Sequence, residues 1–113
     1  SQDDLIPDLL ERTLIRAKMC ESLARVSGYH DPHQAYTVGI FSTLDRFLNE
    51  PMELLLNKIQ LSDALNKALL HHHGKLGQIL QITLDYELAR FKKLENSEFS
   101  REDLTCSYLN GIE

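Results

Sequence analysis

The stretch YTVGIFSTLDRFLNEPMELLLNKI, residues 36–59, decides the fold class. Val38, Ile40, Phe41, Leu44, Phe47 and Leu48, with Ala35 just upstream, make a helix that is apolar around much of its circumference. Such a helix is central, touched on more than one side. Gly39 sits in its apolar middle, where glycine costs about 1 kcal/mol relative to alanine. Close approach of a neighbouring helix is the expected compensation. Asn49-Glu50-Pro51 breaks the chain, and a shorter helix follows with Leu54, Leu55 and Ile59.

Working outward, helical spacing continues in both directions. Upstream, Asp4 is placed to cap a first helix and Pro7 is tolerable within its first turn. Ile6, Leu9, Leu10, Leu14, Ala17, Cys20, Leu23 and Ala24 form one apolar stripe, and Gly28 stops the helix. Asp31-Pro32 starts the second helix as cap and first-turn proline. Downstream, Ser62 caps a fourth helix with Ala64, Leu65, Ala68 and Leu69, ending at Gly74. A fifth runs from about Leu76 to Phe91 with Ile79, Leu80, Thr83, Leu84 and Leu88 inward. Lys92 to Phe99 reads as a polar connection. Ser100, with Asp103 three residues on, caps a sixth helix carrying Leu104, Tyr108 and Leu109. No strand alternation, repeat or low-complexity segment interrupts this order. The expectation is one all-α domain over residues 1–113, a compact bundle of about six helices with antiparallel neighbours.

Composition bounds the function classes. Hydrophobic residues make up 42% of the 113 and charged residues 26%, enough for a core and a polar surface. No run approaches the roughly 18 apolar residues of a membrane helix, and the acidic start lacks a signal-peptide pattern, so a cytoplasmic protein off the membrane is expected. The net charge of −5 argues against nucleic acid as a partner. Arg12, Arg16, Lys18 and Arg25 alternate with Asp8, Glu11 and Glu21, which reads as a solvated mixed-charge face. Cys20 and Cys106 lack C-x-x-C spacing and read as two partly buried, unpaired thiols of a reducing compartment.

Candidate chemistry is thin. His71-His72-His73 are consecutive, and neighbours on a helix point about 100 degrees apart, so they do not converge on one metal. A helix C-terminus, where imidazoles suit the dipole, explains them better. His30 and His33 have spacing of three but straddle Pro32 and have no acidic or thiol partner at ligand spacing. Asp45, Glu50 and Glu53 are carboxylates without a clear catalytic partner. Ser42 and Thr43 need a nearby base to act as nucleophiles, and mid-helix hydroxyls more often bond the carbonyl one turn back. The aromatics are scattered at core-like spacings, and LHHHGKLG follows a helix where a phosphate loop needs a strand. No catalytic residue, metal site or cofactor is assigned.

RAKMCESLA (16–24), AYTVGIFSTLDRFLNEPMELLLNKI (35–59), LSDALNKALL (61–70) and GKLGQILQITLDYELARF (74–91), in this order, resemble the C-terminal part of the HDOD domain. That is the HD-related output domain found behind EAL domains in bacterial cyclic di-GMP signalling proteins. The resemblance covers residues 12–92, and its matching positions are packing and turn signatures. It implies a fold related to the HD metal-dependent phosphohydrolases, truncated here to the later part of the module. In active HD relatives a Gly-Leu-Leu-His-Asp run supplies two metal ligands; here Gly39-Ile40-Phe41 is followed by Ser42-Thr43. Hydroxyls do not replace imidazole and carboxylate as metal ligands. The resemblance therefore implies a non-catalytic regulatory module acting through protein–protein or interdomain contacts, its partner an upstream EAL domain or another signalling protein. Asp45, Phe47, Leu48, Met52 and Glu53 are the expected interaction surface. Truncation is expected to expose apolar surface along the second helix and to favour a homodimer in the crystal. Two other classes stay open: a divergent HD-type phosphohydrolase with metal on His30, His33 or His71–His73, and a nucleotide-sensing module that binds without hydrolysis.

Overall fold

The computed structural model describes residues 2–113, with side chains described from residue 5 onward. The chain is all-helical: α1 (Gln2–Ser27), α2 (Pro32–Phe41), α3 (Leu44–Leu48), α4 (Met52–Lys58), α5 (Asp63–His71), α6 (Gly74–Glu87), α7 (Phe91–Leu94) and α8 (Arg101–Ile112). These are the six expected helices, with the second one split and a single turn added in the connection after α6.

The long α1 is the spine, flanked by α2, α6 and α8. Met19, Cys20, Leu23 and Ala24 of α1 join Ala35 and Val38 of α2, Leu76, Ile79 and Leu80 of α6, and Leu104 of α8 in one core. The expected stripe holds only in its later turns. Ile6, Leu10 and Leu14 are exposed, and the buried face runs instead through Thr13, Arg16, Ala17 and Cys20. The neighbours pack on that face and leave residues 5–12 largely exposed. Exposed apolar surface thus lies along α1 as well as at Phe47 and Leu48, on the second helix that was expected to carry it. Asp4 lies inside α1 and does not open it; its side chain is outside the described residues. Pro7 is likewise inside the helix, where its missing N–H leaves one rung of the ladder unmade.

Gly39 behaves as the sequence predicts. A Cβ built there meets Ala17 Cα at 2.5 Å and Ala17 N at 2.9 Å. Only the absence of a side chain lets α1 and α2 cross this closely. Two further glycines serve the same end: a Cβ on Gly77 would strike the His72 backbone, and one on Gly111 the Ile15 carbonyl.

The second helix does not run through to Leu48. It ends at Phe41, and α3 restarts at Leu44. At the bend the Ser42 hydroxyl donates to the Gly39 carbonyl at 2.7 Å, and Thr43 Oγ1 lies 3.3 Å from the Ile40 carbonyl. Such bonds compete with the helical ladder. Phe47 and Leu48, part of the expected interaction surface, lie exposed to solvent beyond the bend.

Turn chemistry follows the expected residues in part. Gly28 takes φ +76 after α1. Ser62 accepts from Leu65 N, and Ser100 and Asp103 form both bonds of a capping box. Asp31 precedes α2 without a side-chain cap bond, leaving Pro32 as the start signal. The left-handed residue ending α5 is His72, at φ 54, and Gly74 opens α6. Ala89, also left-handed at φ 57, stops the fifth expected helix at Glu87, so Leu88 is exposed and Phe91 begins α7. The polar connection contributes Leu94 and Phe99 to the core.

Candidate functional site

The densest polar cluster lies where α1, the α2–α3 bend and the end of α6 meet. Arg16 is buried there, its side chain only 10% exposed. Its Nε and Nη2 donate to the two carboxylate oxygens of Glu87 at 2.9 and 2.7 Å. Its Nη1 donates to Ser42 Oγ at 3.0 Å. A planar guanidinium gripping a carboxylate in this two-pronged way is among the stronger protein contacts. Arg16 therefore does not belong to the solvated mixed-charge face that its neighbours suggest.

Beside it runs a second chain of bonds. Thr13 Oγ1 donates to Leu9 O at 2.7 Å and stands 2.8 Å from Thr43 Oγ1. With Thr13's proton committed to the carbonyl, Thr43 donates to Thr13. Both hydroxyls are buried, and a buried hydroxyl without a partner is costly. Deeper still, Cys20 Sγ lies 3.5 Å from Thr83 Oγ1. Burial pushes the Cys20 thiol up to about 12, partly opposed by the Thr83 bond and the Arg16 charge. A thiol held protonated in this way is a poor nucleophile. On the outer side, an open cavity of about 490 Å³ is lined by Arg12, Ile15, Tyr86, Glu87 and Tyr108.

The other sequence candidates do not gather. His72 Nδ1 sits 2.6 Å from Gln81 Oε1, and Gln81 Nε2 donates to Asp85 Oδ1 at 3.0 Å. His71 and His73 face each other as tilted rings 5.3 Å apart. His33 Nδ1 is 3.2 Å from Glu21 Oε2, a partner the spacing did not show, and His30 stacks on Tyr29. Among the described residues no three His, Cys, Asp or Glu side chains lie together at metal-binding geometry. Glu50 pairs with Lys58 at 3.4 Å. Cys106 is exposed and Cys20 fully buried, so the two thiols are not alike.

The five expected surface residues fall on α3 and α4. Phe47 is 37% exposed and Leu48 54%, with Leu54, another exposed leucine, on α4. Asp45 accepts from the Arg46 backbone N–H at 3.0 Å in the first turn of α3. Met52 is half-buried against the core, while Glu53 is exposed. Sequence reasoning passed over Thr13, Arg16, Thr83 and Glu87 as a unit. One signal was present: polar Thr13 and Arg16 precede Ala17 and Cys20 on the face that the core later occupies.

No protein-family model matches the chain, and no solved structure matches it. The chain is 28% identical over 108 residues to the uncharacterized protein YuxH of Bacillus subtilis, a match spanning 94% of this chain and 26% of YuxH. It is 30% identical over 89 residues to the cyclic di-GMP phosphodiesterase CdgJ of Vibrio cholerae, spanning 78% of this chain and 21% of CdgJ. The chain therefore spans about a quarter or less of the length of the curated relatives it matches.

Proposed function

We propose that this chain is a non-catalytic regulatory module of HDOD type from a cyclic di-GMP signalling protein, working through protein–protein or interdomain contacts. The similarity to CdgJ supports the signalling context. The observation that carries the non-catalytic reading is the state of Ser42 and Thr43. By the resemblance to HDOD domains, these residues stand where HD-type hydrolases keep their His-Asp ligand pair. Here their hydroxyls are bonded to Arg16, to Thr13 and to their own helix. The site has become a joint between helices. Arg16 and Glu87 add a charged clasp that ties α1 to α6 across the same joint.

The contact surface in this reading is the α3–α4 corner, where Phe47, Leu48 and Leu54 are exposed beside Asp45 and Glu53. No helix among the described residues is long and apolar enough to cross a membrane. The test is direct. Purified chain is incubated with cyclic di-GMP and Mg²⁺ or Mn²⁺, and nucleotide binding is followed by calorimetry alongside a hydrolysis assay. Neither turnover nor binding is expected. Turnover with metal retained after chelation overturns the reading in favour of a divergent hydrolase. Saturable binding without turnover makes the chain a nucleotide sensor.

A further inference from the structure

Among the described residues, the four most exposed large apolar side chains are Leu5, Ile6, Leu88 and Phe91. They fall on two segments, two on each. The first, residues 5–11 (LIPDLLE), also exposes Leu10 and carries Asp8 and Glu11 with no cation. The second, residues 88–93 (LARFKK), carries Arg90, Lys92 and Lys93 with no carboxylate. In a chain of net charge −5, these apolar segments thus have opposite sign, −2 against +3. Arg90 lies 3.6 Å from Asp85, and Lys92 and Lys93 form no ion pair among the described residues.

The basic segment borders a groove of about 610 Å³ between α6, α7 and α8, with Phe91, Leu94, Phe99 and Leu104 in its walls and Arg101 and Glu95 as its charged lining. The acidic segment is a convex helical ridge. Both remain exposed within one chain, so neither covers the other. We propose that the α1 ridge of one copy docks into the α6–α7–α8 groove of a second copy. Leu5, Ile6 and Leu10 then meet the aromatic walls while Asp8 and Glu11 face Lys92, Lys93 and Arg101. Made twice about a two-fold axis, this contact closes a pair. It is independent of the cyclic di-GMP reading.

The test is charge exchange, followed by sedimentation across protein concentration and salt. The wild-type chain is expected to rise above its 13.0 kDa monomer mass as concentration increases, and to fall back as salt screens the charged rim. K92E/K93E and D8K/E11K are each expected to weaken association at least about tenfold, since like charges then meet. All four positions are exposed, and circular dichroism checks that both variants fold. Mixing the two variants restores association, because the acidic ridge of one again meets the basic groove of the other. Three results overturn the proposal: a wild-type chain monomeric at every concentration, association indifferent to both swaps, or a mixture that associates no better than its parts. The first result leaves the groove to an acidic segment of a different protein.

Discussion

Gly39→Ala tests the packing argument most sharply, because two effects of opposite sign meet at one carbon. In the helix itself the change is favourable by about 1 kcal/mol, since alanine is the better helix former. Against it stands the crossing of α1 and α2. The new Cβ lies 2.5 Å from Ala17 Cα, 2.9 Å from its nitrogen and 3.1 Å from its Cβ. Carbon atoms rest at about 3.5–4.0 Å, so the helices must part by roughly 1 Å. Two of the three obstructing atoms are backbone and have no rotamer to change. Overpacking of this kind costs about 1–3 kcal/mol, and the rigid obstacle argues for the upper end. Parting also stretches the Thr13–Thr43 bond one turn further on. The net expectation is a loss of about 2 kcal/mol, read as a lower urea midpoint with unchanged slope and a Tm lower by roughly 5–10 °C. The double variant A17G/G39A should not recover stability, because removing the Ala17 Cβ leaves its Cα and N in place. A G39A chain as stable as wild type, or rescue by A17G, refutes the close-crossing account.

The remaining expectations concern the buried joint, the thiols, the turns and the surface. Arg16→Met strands the Glu87 carboxylate and Ser42; the partial exposure of Glu87 limits the loss to about 1–3 kcal/mol in urea unfolding, and Glu87→Gln should cost less. A thiol reagent should modify Cys106 quickly and Cys20 only after unfolding, with mass spectrometry counting one label and then two. Because the folded state raises the Cys20 thiol from 9.0 to about 12, it holds that proton more tightly than the unfolded chain does. Its contribution is full below about pH 9 and lost as pH rises toward 12, so the fall in urea midpoint over that range should shrink in Cys20→Ala. Ala89→Gly should stabilise by up to about 1 kcal/mol, since φ 57 strains alanine but not glycine. Leu48→Glu should shift stability by no more than about 0.5 kcal/mol while weakening any partner contact at the α3–α4 corner.

Much of the helix order was legible because it depends on local spacing and punctuation. Gly28, Ser62, the Ser100–Asp103 box and Pro51 each mark a boundary through backbone chemistry that needs no distant neighbour. Gly39 was legible too, since a costly glycine in an apolar helix implies something pressed against it. The split of the second helix was harder. Ser42 and Thr43 are compatible with a continuous helix, and the bend depends on bonds that Thr13 and Arg16 supply from α1. Leu10, Leu14 and Phe47 show the other limit: a periodic apolar pattern says that a face can be buried, but not that a neighbour reaches it. The candidate site was the least legible part. Arg16 and Glu87 are distant in sequence, and each alone reads as an ordinary surface charge.

The contact between α8 and α1 carries a consequence for the order in which the molecule assembles. Gly111 seats against Ile15, and Leu104 completes the core begun by Met19 and Leu23. Helix α1 therefore waits for α8 before its second flank is covered. Contacts of such large sequence separation slow folding, while the capping box lets α8 start its turn locally. Amides in the later turns of α1 are expected to gain full protection from hydrogen exchange only when those of α8 do. Pulse-labelling during refolding would reveal α1 and α8 maturing together.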